Sequence, residues 1–316
     1  MTERNNNGPL RIGVIGVGPV GGIITAHLIE ADAFVVACDM IQNRMDKIKK
    51  SGLILQHQIE KKVKVPEVCY SIQEFEKYNL DIIIIAVKTP ALKNVLKQLQ
   101  SLTTDNMHFL VAQNGIDNEV EVAKVFGDAK TLRMVVNFAG NMSDLNRVHV
   151  SFFNPPNYLA ALMPQGEEIA KKIVDLFNSV GLQTEIPEDI LDYVWEKAIL
   201  NSALSAVCAI TRKTMKEVMD FPLTQQLVES IIDESVRVAE KERIDLGRKF
   251  TRFCIQYLKN AGHHRPSMLI DLENGHKTEI DQLNGKIVDY GRKHYLPTPI
   301  NQSVTALVHF LEHTAE

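Results

Sequence analysis

The sequence has few cysteines, no long hydrophobic run and no large excess of either charge. Its four cysteines are scattered without a C-x-x-C pair (Cys38, Cys69, Cys208 and Cys254), which predicts reduced, buried thiols and no disulfide framework. The apolar run at residues 81–87 is far too short to span a bilayer. The polar residues 1–7 lack the apolar segment of a secretory signal. A cytoplasmic protein with no membrane partner is therefore predicted.

The charge and histidine content exclude two further classes of partner. A formal net charge of −4 over 316 residues offers no electrostatic reason to expect a nucleic acid. His309 and His313 are four residues apart, but no carboxylate completes a zinc-protease motif around them. We expect no metal, and the 45% hydrophobic content is typical of a globular protein of about two domains.

A glycine-rich turn directly follows a strand candidate at residues 11–15. The turn is Gly16-Val17-Gly18-Pro19-Val20-Gly21. In this G-x-G-x-x-G pattern Gly16 shapes the turn, Gly18 lets a diphosphate approach the backbone, and Gly21 lets the following helix lie close to the strand. Pro19 suits a first helical turn, whose positive end would face the diphosphate. Residues 16–21 are predicted to bind a nicotinamide dinucleotide.

Asp39 ends the next buried strand candidate, residues 34–38. A carboxylate at this place can accept hydrogen bonds from the adenosine ribose hydroxyls, but it would lie against a 2′-phosphate. Two like charges about 4 Å apart repel each other by roughly 4 kcal/mol at an effective dielectric constant near 20. NAD(H) is therefore favoured, and Arg44, which could neutralise Asp39, keeps NADP(H) as an alternative.

The pattern along the chain changes near residue 188. Before it, short β-branched runs alternate with amphipathic stretches, with strand candidates at residues 82–87, 109–112, 132–136, 149–153, 158–162 and 182–186. After it come helix candidates at residues 190–208, 223–243, 247–260, 279–293 and 299–313. We predict an α/β, doubly wound domain over residues 1–188 and an all-helical domain over residues 189–316. The apolar stripe of residues 223–243 indicates core or a subunit contact, so a homodimer is one alternative.

Polar side chains follow two of the predicted strands. Lys88 follows residues 82–87, and Asn114 follows residues 109–112. Open α/β sheets bind ligands beyond the carboxyl ends of their strands, so both residues are predicted at the edge that carries the glycine turn. The alternative for Asn114 is a simple Asn-Gly turn.

The first predicted helix of the second domain carries a polar face. Lys197, Asn201 and Ser205 are spaced at i, i+4 and i+8, which places them on one side of a helix. A lysine between Trp195 and Ile199 is a candidate for a partly desolvated ammonium that protonates a substrate oxygen during hydride transfer. The alternative is a solvated helix face.

The order of these motifs resembles the ketopantoate reductase (2-dehydropantoate 2-reductase) family over nearly the whole chain. Its most specific portions are Ser-Met-Leu-x-Asp at residues 267–271 and Lys-Thr-Glu-Ile-Asp-x-x-Asn-Gly at residues 277–285. The resemblance implies a Rossmann domain joined to a helical domain like the C-terminal domain of 6-phosphogluconate dehydrogenase, with the active site in the cleft between them. It also implies that Asn114 lies at the nicotinamide and substrate side and Lys88 at the cofactor edge.

The resemblance further implies single residue roles. The residue matching Lys197 is the general acid, and the one matching Glu279 assists at the reacting centre beside the cofactor. Those matching Asn201 and Ser267 hold the substrate. On physical grounds a carboxylate near an ammonium keeps it charged and oriented, but acidic residues in the stretch 278–281 would equally suit a helix start.

The chain departs from the family pattern in the substrate region. Ser205, Met215 and His264 stand where asparagines are usual. His264 is a candidate contact for a substrate carboxylate, and the alternative is a polar loop pair with His263. Ser205 is retained as a substrate-binding candidate.

We therefore predict an NAD(P)H-dependent oxidoreductase that reduces a small-molecule 2-oxo acid, ketopantoate, to the 2-hydroxy acid pantoate in pantothenate biosynthesis. One alternative is a D-2-hydroxy acid dehydrogenase for branched or aromatic acids, which the substituted asparagines motivate. A second is a non-catalytic NAD(H)-binding redox sensor.

Overall fold

The computed structural model describes residues 8–102 and 106–314, so the polar segment at residues 1–7 lies outside the described residues. The chain divides into two compact units. The first unit comprises the residues up to Gln113 together with Asn118–Ile190. The second comprises Asn114–Asp117 and the chain from Leu191 onwards. The Asn114–Asp117 loop therefore belongs to the second unit, although both of its flanks belong to the first.

The first unit contains the strands of the described chain and five of its helices. The strands are β1 (Arg11–Ile15), β2 (Phe34–Cys38), β3 (Leu53–His57), β4 (Lys61–Val63), β5 (Glu67–Cys69), β6 (Ile82–Ile85), β7 (His108–Val111), β8 (Thr131–Val135), β9 (Phe138–Asp144), β10 (Arg147–Phe153), β11 (Asn157–Ala161) and β12 (Thr184–Glu185). The helices are α1 (Pro19–Glu30), α2 (Gln42–Ser51), α3 (Leu92–Leu99), α4 (Asn118–Phe126) and α5 (Glu167–Ser179).

The larger sheet has the order β12-β11-β8-β7-β6-β1-β2-β5 within the described residues. All neighbouring pairs are parallel except β8 and β11. Strand β1 lies between β2 and β6, so the strand order reverses beside it. In open α/β sheets this reversal point is where ligands bind, beyond the carboxyl ends of the strands.

Both faces of this sheet are covered by apolar side chains. In β6, Ile82 and Ile84 belong to one buried cluster, whereas Ile83 and Ile85 belong to the cluster on the other face. A parallel strand buried on both sides has an uninterrupted apolar sequence, which is why the run of isoleucines forms a central strand. The predicted doubly wound α/β architecture is confirmed.

A second, four-stranded sheet was not expected from the sequence. Its order is β4-β3-β10-β9 in the described chain. The predicted strand at residues 149–153 belongs to this sheet, where β10 pairs parallel with β3 and antiparallel with β9. Strands β4 and β9 are short or largely polar and lie half exposed, so they lack the apolar alternation from which strands are predicted.

The described residues of the second unit form helices and connecting loops without a strand, as predicted. Its helices are α6 (Ile190–Thr211, of which only Ile190 is assigned to the first unit), α7 (Met215–Asp220), α8 (Pro222–Lys241), α9 (Phe250–Lys259), α10 (Ser267–Glu273), α11 (Asn284–Lys293) and α12 (Pro299–Thr314). The predicted helix at residues 279–293 is instead a single 3₁₀ turn, Ile280–Gln282, followed by α11. No helix within the described residues has the length and apolar character to cross a membrane.

A buried carboxylate organises the helical core. Glu234 on α8 accepts hydrogen bonds from the backbone N–H groups of Ile300 (3.0 Å) and Asn301 (2.9 Å) at the start of α12. The Asn301 side chain in turn accepts from Asn284, which also donates to the Ser202 carbonyl on α6. Because an acidic group stabilises a helix N-terminus, Glu234 joins α8 to α12, and the amides extend this link to α11 and α6.

Candidate active site

The glycine-rich turn connects β1 to α1 at the reversal point of the sheet. Gly16 has a φ of +91°, and its N–H donates to the Cys38 carbonyl at 2.8 Å. Helix α1 begins at Pro19, with Gly18 as its N-cap. The first N–H groups of a helix have no partner inside the helix and carry partial positive charge, so this end can bind an anionic group.

The glycines of this turn serve two different purposes. A Cβ at Gly21 would lie 1.8 Å from the Gly16 carbonyl oxygen, so only glycine allows α1 to lie this close to the turn. A Cβ at Gly18 would meet no atom within 4 Å. The backbone at Gly18 is therefore open on the side a side chain would occupy. This geometry fits the diphosphate of a dinucleotide, which residues 16–21 would hold.

The Asp39 carboxylate is hydrogen-bonded to the glycine-rich turn, and a cation balances its charge. One carboxylate oxygen accepts from the Val17 N–H at 2.8 Å and from Arg44 Nη1 at 2.9 Å, and the other accepts from the Ile41 N–H at 2.9 Å. Asp39 is only 7% exposed. Arg44 on α2 thus offsets the negative charge of Asp39. The sequence left open whether Asp39 would be neutralised in this way.

Lys88, a predicted cofactor residue, and Gln113 lie beyond the ends of the neighbouring strands β6 and β7. Strand β6 ends at Ile85, and the exposed Lys88 precedes the 3₁₀ turn Thr89–Ala91. After β7, the buried Gln113 donates from Nε2 to the Val87 carbonyl at 2.7 Å. Its Oε1 is buried and has no hydrogen-bond partner among the described residues, so an acceptor is available beside Val87.

The second unit contains a cavity in which several predicted site residues converge. It is lined by Asn201, Ser205, Ser267, Met268, Asp271, Glu279 and Leu283. Asn201 and Ser205 come from successive turns of α6, and Ser267 and Asp271 from successive turns of α10. Residues four apart share a helix face, so each helix presents two polar groups to the cavity.

Three of the predicted catalytic and substrate-binding residues, Lys197, Asn114 and His264, are not among those that line this cavity. Lys197 is half-buried on α6, one turn before Asn201 and so on the same helix face. Asn114 lies in the loop that belongs to the second unit. The backbone carbonyl of His264 accepts a hydrogen bond from the Met215 N–H at 3.0 Å, so Met215 and His264, which both stand where the family has asparagine, are neighbours. Burial lowers the pKa of the His264 ring.

The acidic and apolar parts of the cavity were missed as site residues. Asp271 is 6% exposed, and it stands four residues after Ser267 on α10, a spacing that could have revealed it. Met268 and Leu283 add apolar surface. The cavity thus offers carboxylates, hydroxyls and an amide beside hydrophobic side chains, which suits a small polar ligand with an apolar portion.

Glu279 does not cap a helix through its side chain. It precedes the 3₁₀ turn Ile280–Gln282, and its carboxylate makes no capping hydrogen bond there. Its position is set by the preceding residue, because the Thr278 N–H donates to the buried Glu312 carboxylate at 2.7 Å. The segment does begin a short helix, with Glu279 as its N-cap residue and Asp281 in its first turn, and the Glu279 side chain also contributes to the cavity wall.

Models of one protein family match both units. The model described as "Ketopantoate reductase PanE/ApbA" matches residues 12–161, and "Ketopantoate reductase PanE/ApbA C terminal" matches residues 189–312. The chain belongs to the ketopantoate reductase family. The predicted family is confirmed, and the protein is accordingly an oxidoreductase.

Individual members of this family and its structural neighbours resemble the chain over nearly its full length. The 2-dehydropantoate 2-reductase of Aquifex aeolicus is 28% identical over 305 residues, covering 93% of this chain and 94% of the relative. A D-mandelate dehydrogenase solved with NADH and anilino(oxo)acetate is 25% identical, with a TM-score of 0.87 and coverage of 97% and 99%. A putative 2-dehydropantoate 2-reductase from Enterococcus faecalis is 26% identical, with a TM-score of 0.73 and coverage of 97% and 99%.

The site of this ketopantoate reductase family member contains no metal cluster in its described part. Among residues 8–102 and 106–314, no group of three or more histidine, cysteine or acidic side chains could hold a metal ion. His309 instead bridges Asp281 at 2.8 Å and Glu312 at 3.3 Å. It therefore braces the segment that carries Glu279.

Proposed function

We propose that this protein reduces ketopantoate to pantoate with a nicotinamide dinucleotide, as a cytoplasmic enzyme of pantothenate biosynthesis that forms a homodimer. The observation that carries the reaction is the convergence of Asn201, Ser205, Ser267 and Glu279 on one cavity, in a chain whose other unit has an open glycine turn at a helix N-terminus. Family membership and the named relatives support the same reaction.

In this proposal the proton comes from Lys197. The dinucleotide supplies a hydride to the carbonyl carbon when it is bound. The Lys197 ammonium donates a proton to the carbonyl oxygen, so the π bond of the C=O group is replaced by one C–H and one O–H bond, the C–O single bond remains, and the lysine is left neutral. A positioned general acid typically raises the reaction rate by about 10²- to 10⁴-fold.

The cavity residues orient the substrate and set the local charge. Asn201 and Ser267 hold the polar groups of the 2-oxo acid, with Ser205 as a further donor. Asp271 and Glu279 supply negative potential in a half-buried environment, which favours the protonated form of a nearby amine. We propose that these carboxylates keep Lys197 charged until proton transfer.

The substrate is tested with three 2-oxo acids. We expect kcat/KM for ketopantoate to exceed that for 2-oxoisovalerate and phenylglyoxylate by more than tenfold, about 1.4 kcal/mol of transition-state discrimination. Steady-state oxidation of NADH and NADPH measures it. A higher value for phenylglyoxylate or 2-oxoisovalerate would replace the proposal with a D-2-hydroxy acid dehydrogenase, which Met268 and Leu283 in the cavity wall would favour. NADH binding without oxidation of any of the three would indicate the non-catalytic sensor.

The cofactor preference is tested at Arg44. We propose that NADH is preferred, because Asp39 places a carboxylate at the end of β2 where the adenosine ribose binds in this fold. Arg44 offsets part of that charge. Arg44→Gln is therefore expected to raise the kcat/KM ratio of NADH to NADPH on the order of tenfold, since the uncompensated carboxylate repels a 2′-phosphate.

Lys47→Gln is the matched control for this change. Lys47 lies on the same helix and pairs with Asp144, so its loss removes an equal charge without touching Asp39, and the ratio should stay at the wild-type value. Fluorescence titration of both cofactors gives the same comparison without a substrate. A wild-type preference for NADPH would contradict the proposed role of Asp39.

A further inference from the structure

The Asn114–Asp117 loop is built into the helical unit. Its Ile116 is buried in the helical core at 1% exposure, and the Ile116 N–H donates to the Gln282 carbonyl at 2.9 Å. Gly115 has a φ of +100°, and a Cβ there would lie 2.6 Å from Gln282 Cβ. The loop that carries Asn114 is thus packed against the 3₁₀ turn that follows Glu279.

Asp117 ends this loop in an uncommon backbone conformation with two strong partners. Its φ is +68°, in the left-handed region that only glycine adopts without cost. One carboxylate oxygen accepts from the Tyr290 hydroxyl at 2.8 Å, and the other pairs with Lys286 Nζ at 2.8 Å. Such strained residues persist where surrounding contacts determine their conformation, and they concentrate at functional sites.

The two partners of Asp117 are themselves held in place. Lys286 and Tyr290 are four residues apart on α11, so they share a face of that helix. The Tyr290 ring packs edge-on against Trp195, with ring centroids 5.2 Å apart. Trp195 lies two residues before Lys197 on α6. The contacts of Asp117 therefore connect the Asn114 loop to α11 and, through Tyr290, to the helix that carries Lys197.

We propose that Asp117 is a positioning residue, which holds Asn114 in a constant arrangement with Glu279 and Lys197 by clamping its loop to Tyr290 and Lys286. This inference rests on the proposed function, in which Lys197 and Glu279 act at the reacting centre, and on the place of Asn114 at the nicotinamide and substrate side that the family resemblance implies. Because Asn114 belongs to the helical unit, its loop is held on the same unit as Glu279 and Lys197. Misplacing a substrate-orienting group by about 1 Å can cost up to about 100-fold in rate.

The clamp is tested first by changing Tyr290 and Lys286, the two residues that contact Asp117, so that the loop sequence stays intact. Tyr290→Phe keeps the ring that packs on Trp195 and removes only the hydroxyl. Lys286→Met keeps the aliphatic stem and removes the charge. We expect each to lower kcat with ketopantoate about tenfold, with the Kd for NADH unchanged and faster amide exchange of the Ile116 N–H.

Variants of Asp117 distinguish the effect of losing the carboxylate contacts from the effect of backbone strain at this residue. Asp117→Gly removes the carboxylate but tolerates a positive φ, whereas Asp117→Asn keeps an acceptor for Tyr290 and also tolerates this conformation. We expect kcat to fall in Asp117→Gly and to be partly restored in Asp117→Asn. Arg292→Met, an exposed change on the same helix, should leave kcat and exchange at wild-type values.

Two results would overturn the proposal. One is a kcat in Tyr290→Phe and Asp117→Gly equal to that of the wild type, and the other is unaltered exchange at Ile116 in those variants. A wild-type protein that reduces no 2-oxo acid would count against the proposed function. The exchange comparison would then decide whether the clamp orders the loop, because it needs no substrate.

Discussion

Lys197→Ala is expected to lower kcat for ketopantoate reduction by about 10²- to 10⁴-fold, the usual contribution of a positioned general acid. The reason is that without the ammonium the developing alkoxide must take its proton from water. The Kd for NADH should stay at the wild-type value, because Lys197 lies on a helix of the second unit, whereas the dinucleotide turn belongs to the first. Rapid-mixing and steady-state assays of NADH oxidation, together with fluorescence titration, measure both quantities.

The role of the lysine as an acid can be separated from its charge. Lys197→Arg keeps a cation at the site, but an arginine guanidinium does not release its proton in proteins. We therefore expect Lys197→Arg to remain nearly as slow as Lys197→Ala. Lys213→Ala serves as the control, since this exposed lysine just beyond α6 pairs with Glu217. Near-normal turnover in Lys197→Ala would show that another group protonates the oxygen.

Gly18→Ala is expected to weaken NADH binding strongly without harming the fold. Gly18 has a negative φ of −78°, which alanine adopts easily, and its Cβ would meet no protein atom within 4 Å. The methyl group would instead occupy the space through which the diphosphate approaches the backbone. A loss of about tenfold or more in affinity is expected, at 1.4 kcal/mol per tenfold, with an unchanged Tm.

Gly21→Ala, at a nearby glycine, is expected to lower the stability of the fold, in contrast to Gly18→Ala. Its Cβ would lie 1.8 Å from the Gly16 carbonyl oxygen, so β1 and α1 must separate, and overpacking of this kind costs about 1–3 kcal/mol or more of folding free energy. A lower Tm is expected for this variant by calorimetry. Wild-type affinity for NADH in Gly18→Ala would mean that the diphosphate does not pass this glycine.

The dinucleotide turn and the two-part architecture could be predicted because their signals are local. A strand, a glycine-rich turn and a helix start are contiguous in residues 11–30, and each needs only its own residue types. The isoleucine run of β6 is apolar at every position because both faces of the sheet are covered. In the same way, the spacing of Asn201 and Ser205 on α6 follows from the helical repeat alone.

The second sheet and the cavity wall could not be predicted in this way. Strand β4 is Lys61–Val63, and its pairing depends on β3 rather than on any apolar alternation of its own. The spacing of Asp271 from Ser267 indicates a shared helix face, but its place in the cavity wall depends on α6 and the Glu279 segment meeting α10. The compensation of Asp39 by Arg44 was foreseen as one of two alternatives, and the side-chain geometry decided between them.

The sequence by itself determined the family, the dinucleotide turn and the polar face of α6, because these depend on the types and spacing of residues that are near each other in the chain. Only the tertiary structure decided that the Asn114–Asp117 loop belongs to the helical unit and that Asp117 meets Tyr290, 173 positions away. No local pattern encodes such a contact, since its free energy arises only when distant segments have folded against each other.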